Sequence, residues 1–98
     1  MSNHRITTMA AILSVLPGIS ASVQRARLLA ALERLGSVTT YEASRYLDLY
    51  DPRARKKELC KEGHDIDTVP CRVITESGEI HRIGRYVLMT QAIQRDAA

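Results

Sequence analysis

The side chains best suited to chemistry are concentrated between Asp51 and Gly63, where five of thirteen residues are basic: Arg53, Arg55, Lys56, Lys57 and Lys61. A guanidinium can donate two hydrogen bonds to the O6 and N7 edge of guanine, and a lysine ammonium at a groove rim can neutralise phosphate. Three acids, Asp51, Glu58 and Glu62, are interspersed. Glu58 stands three residues after Arg55, so part of the positive charge is balanced locally. A second basic set, Arg72, His81, Arg82 and Arg85, follows downstream. Of these, Arg82 lies near a turn from which it can reach a minor groove, although Glu76 and Glu79 at the same turn repel phosphate. Thr40 and Tyr41, at the start of a short helix signal, complete the expected contact set.

Other chemistries fit less well. Cys60, His64, Cys71 and His81 match the ligand spacing of no regular zinc module, and Cys60 reads as core. Asp65 and Asp67 form a carboxylate pair with no third acid or nucleophile beside them. There is no glycine-rich phosphate loop. We therefore expect no catalytic residue, no metal and no cofactor. The two cysteines, with ten residues between them, are expected as free thiols in a reducing cytosol. With four Tyr and no Phe or Trp, a base-stacking platform for single strands is hard to assemble.

The elements that must position the basic residues follow from local signals. Thr39 and Glu42 fit a capping box that opens a short helix from Tyr41 to Leu47. Asp48 to Asp51 reads as a tight turn. Asp51 as N-cap and Pro52 at the first helical position then start a basic helix that Gly63 ends. Its inward positions are expected to be Ala54, Leu59 and Cys60; Lys56 would lean the same way, so either its stem lies along the core with the amine reaching out or the helix is rotated from that orientation. Upstream, Leu28, Leu32 and Leu35 fall on one helical face between a Ser22 cap and Gly36, with Arg25, Arg27, Glu33 and Arg34 opposite. Ser37-Val38 offers a minimal strand. After Gly63 the period changes to two: Ile66 to Thr75 and Ile80 to Leu88 read as a hairpin about Glu76–Glu79, with Pro70 requiring an edge or a bulge.

Helix, short strand, helix, helix, hairpin is the order of a winged helix-turn-helix. We expect an α+β fold with a three-helix core, a C-terminal β-hairpin wing and an N-terminal apolar arm. At 98 residues, 45% hydrophobic and 26% charged, the chain suits one globular domain, and a net charge of +3 suits an anionic partner. The expected divisions are an extended arm or short helix over 1–20, the domain over 21–90 and a fraying tail over 91–98. Within the arm, Met9 to Leu16 is apolar apart from Ser14. It is a poor secretory signal with a single leading Arg5, and no segment is long enough to span a membrane. Met9, Ile12, Leu13 and Leu16 either pack back on the domain or meet a second chain. Because the downstream core looks complete without them, a homodimer contact is expected.

From Gln24 to Leu88 the chain also resembles a family of small phage and prophage helix-turn-helix proteins. The likeness rests on Gln24-Arg25-x-Arg27-x-Leu29, Leu32, Thr39-Thr40-x-Glu42-Ala43, Ala54-Arg55-x-x-Glu58-Leu59, Gly63-x-x-Ile66 and Arg85-Tyr86-x-Leu88. It covers about two-thirds of the chain. Two features depart from it: Lys56 stands where an apolar residue is usual, and the first twenty residues lie outside. The resemblance implies a winged-helix domain that binds DNA and has no enzymatic activity. The expected function is a cytoplasmic, sequence-specific double-stranded DNA-binding protein, a transcriptional or recombination/replication accessory regulator. The alternative is an inhibitor that uses the same fold to bind a host protein, such as a defence complex, since fold alone does not decide function.

Overall fold

A computed structural model describes residues 3–89; the expected tail over 91–98 lies outside the described residues. The elements are α1 (Asn3–Val15), α2 (Ala21–Leu35), β1 (Ser37–Thr39), α3 (Thr40–Tyr46), α4 (Pro52–Lys61), β2 (Ile66–Ile74) and β3 (Ile80–Leu88). The sheet is antiparallel in the order β1-β3-β2. This is the α+β, winged helix-turn-helix architecture that the element order implies.

Local chemistry sets most of the boundaries. Thr39 accepts from the Glu42 amide, and the Glu42 carboxylate accepts from the Thr39 amide, so both halves of the capping box form. The Asp51 carboxylate accepts from the Ala54 amide at the start of α4, with Pro52 in the first turn. Gly63 takes φ +104° just past the end of α4, a conformation that strains other residues. At α2 the cap is Ser20 rather than Ser22: its hydroxyl accepts from the Val23 amide, and the helix begins two residues earlier than expected.

In the N-terminal segment the helix alternative holds and the expected dimer contact does not. The segment forms a thirteen-residue helix, α1, that packs on α2 and α3. Met9 and Ile12 are fully buried in the same cluster as Leu28, Leu32, Leu47 and Leu59, and Leu16 packs against it. Leu13 is half-buried. Met9 and Ile12 are thus core residues of their own chain and not an exposed dimer contact. Without α1, the apolar face it covers would meet water.

Two polar residues of α2 are also inside, and one of them, Arg27, is expected on the solvent side. Arg27 is fully buried, and its guanidinium donates to the carbonyls of Leu47 (2.8 Å), Leu16 (2.8 Å), Gly18 (2.9 Å) and Asp48 (3.3 Å). It ties the α1–α2 link to the α3–α4 turn, and those four carbonyls satisfy a buried group that would otherwise be costly. Gln24 repeats the device, donating to the Ile19 carbonyl and accepting from the Tyr50 amide. The turn between α3 and α4 is therefore fixed from beneath, which sets the angle at which α4 is presented.

β2 and β3 pair without a break from Ile66↔Leu88 to Ile74↔Ile80. Pro70 causes no bulge, because β2 is an edge strand. The side turned to the helices nevertheless changes along the ribbon. Thr68, Pro70 and Gly84 face them near the base, whereas Val73, Thr75 and Ile83 do so nearer the tip. With the register intact, right-handed twist of a two-stranded ribbon accounts for the change.

Candidate nucleic-acid interface

The helices and the wing enclose one open groove. Its walls are the start of α3 (Thr40, Tyr41), one face of α4 (Arg53, Lys56, Lys57) and the wing (His81, Arg82). At about 1410 Å³ it is larger than a pocket for a small molecule. Gly84 keeps the wing base close: a Cβ there would lie 3.1 Å from the Thr68 methyl and 3.6 Å from that of Thr40. Tyr86 is buried at the base of the groove, and that burial pushes its phenol pKa up, with Arg53 opposing and Asp51 assisting. The hydroxyl stays protonated through neutral pH.

The four neighbouring basic residues of α4 separate onto two faces. Arg53, Lys56 and Lys57 line the groove. Arg55 does not. Its Nη2 donates to Glu58 Oε2 (3.1 Å), and its Nε lies 2.8 Å from Glu58 Oε1, a charge contact without hydrogen-bond geometry. Arg25 of α2 joins the cluster at 3.1 Å from Glu58 and 3.1 Å from Glu62. The Arg25 hydrogen bond, with the nearby Arg55 charge, holds the Glu58 carboxyl below the usual carboxylate range. Arg55 is therefore committed to joining α4 to α2, and its placement among the expected DNA contacts is corrected. Lys56 presents its side chain to the groove, so α4 is rotated from the orientation that turns Ala54, Leu59 and Cys60 inward. Only Leu59 of that inward set is fully buried.

Of the remaining expected contacts, Thr40, Tyr41 and Arg82 line the groove. Lys61 is exposed at the end of α4, outside the groove. The acidic wing tip is handled by a contact that sequence reasoning missed. Glu76 forms an ion pair with Arg45 of α3 and accepts from the Tyr41 hydroxyl at 3.3 Å. No local signal marks a pairing of a hairpin tip with a helix thirty-one residues upstream. Its effect is to tie the wing tip to α3 and to neutralise one of the two tip carboxylates.

Among the described residues, no three His, Cys, Asp or Glu side chains converge in a way that could hold a metal ion. Both cysteines are free thiols, and Cys60 Sγ lies 3.7 Å from the Ile66 carbonyl. Among the same residues no helix is long and apolar enough to cross a membrane.

Comparison with known families agrees with this geometry: the winged helix-turn-helix domain matches residues 23–91, and the chain belongs to that family. The match begins inside α2, so α1 precedes it. No match was found among curated proteins or solved structures. Domains of this type are typically non-catalytic and bind DNA.

Proposed function

We propose that the protein is a cytoplasmic, sequence-specific double-stranded DNA-binding regulator of phage or prophage type, acting in transcription or as an accessory in recombination or replication. The observation that carries this reading is the sorting of charge on α4. Arg53, Lys56 and Lys57 share the groove with Arg82, while Arg55 is withdrawn to Glu58. A solvated charged face would not divide its cations between a structural network and a concave surface. In this reading α4 enters the major groove with Arg53 towards base edges, Lys56 and Lys57 towards phosphate, and Thr40 and Tyr41 against the backbone beside them.

One small module buries on the order of 600–1,000 Å² of its own surface on DNA, so two copies on adjacent half-sites would bind more tightly. With Met9 and Ile12 inside the core, the apolar surface left near α1 for a second copy is Val15 and Ile19, each 69% exposed. Selection of duplexes from a random pool, followed by footprinting, tests the reading. Enrichment of one motif, with protection lost in a Lys56→Ala/Lys57→Ala variant, supports it. No enrichment, together with DNA-independent capture of a host protein, would replace it with the inhibitor function.

A further inference from the structure

The distal part of the wing carries two cross-strand pairs on one face, of whose four side chains only Arg82 borders the groove. Arg72 stands directly opposite Arg82, and Ile74 directly opposite Ile80. Residues two apart on a strand share a face, so the four side chains form a basic pair followed by an apolar pair at the distal end of the ribbon. Both pairs are unfavourable in the isolated protein. Like charges directly opposite one another destabilise a ladder, and among the described residues neither Arg72 nor Arg82 has an acidic partner. Ile74 and Ile80 are 72% and 65% exposed, although the twist places Val73 and Ile83 on the groove side and could have spared this face such residues.

We propose that this face is a minor-groove wedge: Ile74 and Ile80 enter between base pairs, Arg72 and Arg82 engage the anionic backbone beside them, and the bound duplex is kinked. The inference rests on the DNA-binding reading above and names what the wing does to the DNA. Apolar side chains flanked by arginine are the chemistry that unstacks a base step from the minor groove.

Charge selects the occupant. A second copy of the wing would bring two more arginines against the first two, whereas a polyanion relieves their repulsion. Continuity selects duplex DNA among polyanions, because Arg82 also lines the groove that holds Arg53, Lys56 and Lys57. The tip acids do not reverse this. Both tip carboxylates are exposed, but Glu76 is paired with Arg45 and accepts from Tyr41, so Glu79 beside Ile80 is the one without a cation partner among the described residues.

The test uses the full chain and a duplex of about 30 base pairs with a fluorophore at each end and a central, easily unstacked TpA step. The parent should shorten the end-to-end distance on binding. Ile74→Thr/Ile80→Thr, which keeps β-branched residues in the strands, should bind within about threefold of the parent yet leave the duplex straight. Arg72→Ala/Arg82→Ala should lose about tenfold or more in affinity, as expected for lost phosphate contacts at low salt. Unchanged bending by the threonine variant, or binding by the parent without bending, overturns the wedge and leaves the DNA-binding reading intact. Failure of the parent to bind any duplex overturns both. Binding of the parent to phosphatidylserine vesicles that the threonine variant loses, with duplex bending unchanged, assigns the face to a lipid surface instead.

Discussion

Arg5 of α1 and Glu42 of α3 meet in a two-pronged ion pair, Nε to Oε2 and Nη2 to Oε1, each at 2.9 Å. The same Arg5 donates to the Ser37 carbonyl, and the same carboxylate closes the capping box on Thr39. The first helix is thereby fixed to the residue that starts the helix-turn-helix. With Met9 and Ile12 beneath it, α1 belongs to the folding unit.

Ile12→Ala should accordingly lower stability by about 2–5 kcal/mol, the usual cost of truncating a fully buried aliphatic side chain. For a domain whose total stability is about 5–15 kcal/mol, deleting residues 1–15 should abolish cooperative folding. Urea denaturation followed by circular dichroism measures both. A truncated chain that unfolds in a sharp transition at the parent's midpoint would show that α1 is dispensable.

Glu42 also sets a pH dependence. Burial raises its pKa, but hydrogen bonds from Arg5 and Thr39, and the Arg5 charge, outweigh this and hold it below the ordinary carboxylate range. A carboxyl depressed in the folded state contributes stability that is present above its unfolded pKa and lost as pH falls through the folded value. Thermal melts from neutral to strongly acidic pH should show this acid-side loss. Glu42→Gln should be less stable at neutral pH and lose less on acidification. A Gln variant whose acid-side slope equals the parent's would assign the loss to other carboxyls.

Arg55 and Lys57, two residues apart on α4, should respond oppositely to alanine. Arg55→Ala removes one partner of Glu58 and should lower the melting temperature while leaving the salt slope of DNA binding unchanged. Lys57→Ala should melt like the parent and reduce that slope by about one. Reversed phenotypes would mean that α4 is rotated relative to the orientation described.

Why the two could not be separated beforehand is physical. Caps, turns and strand phase are local, so the capping box, the Asp51-Pro52 start, the Gly63 stop and the hairpin were legible from neighbouring residues. Rotation of α4 was not, because Leu59 is its one fully buried residue and a single apolar anchor does not fix a face. Arg27 read as solvent-facing because the four carbonyls that satisfy it come from two distant turns. The Arg45–Glu76 contact at the wing tip is likewise tertiary. The apolar N-terminal run needs cover, but nothing in its sequence shows that its own domain supplies it.

In the proposed function Arg53, Lys56, Lys57 and Arg82 together form one surface for duplex DNA. Affinity measured against salt concentration tests it most directly, since each neutralised phosphate adds about −0.9 to the slope of log K against log salt. We expect a slope of about −3 to −4 for the parent and a loss of about two on combining Lys56→Ala with Lys57→Ala. A parent whose binding is insensitive to salt, or a double variant with the parent's slope, would contradict the account.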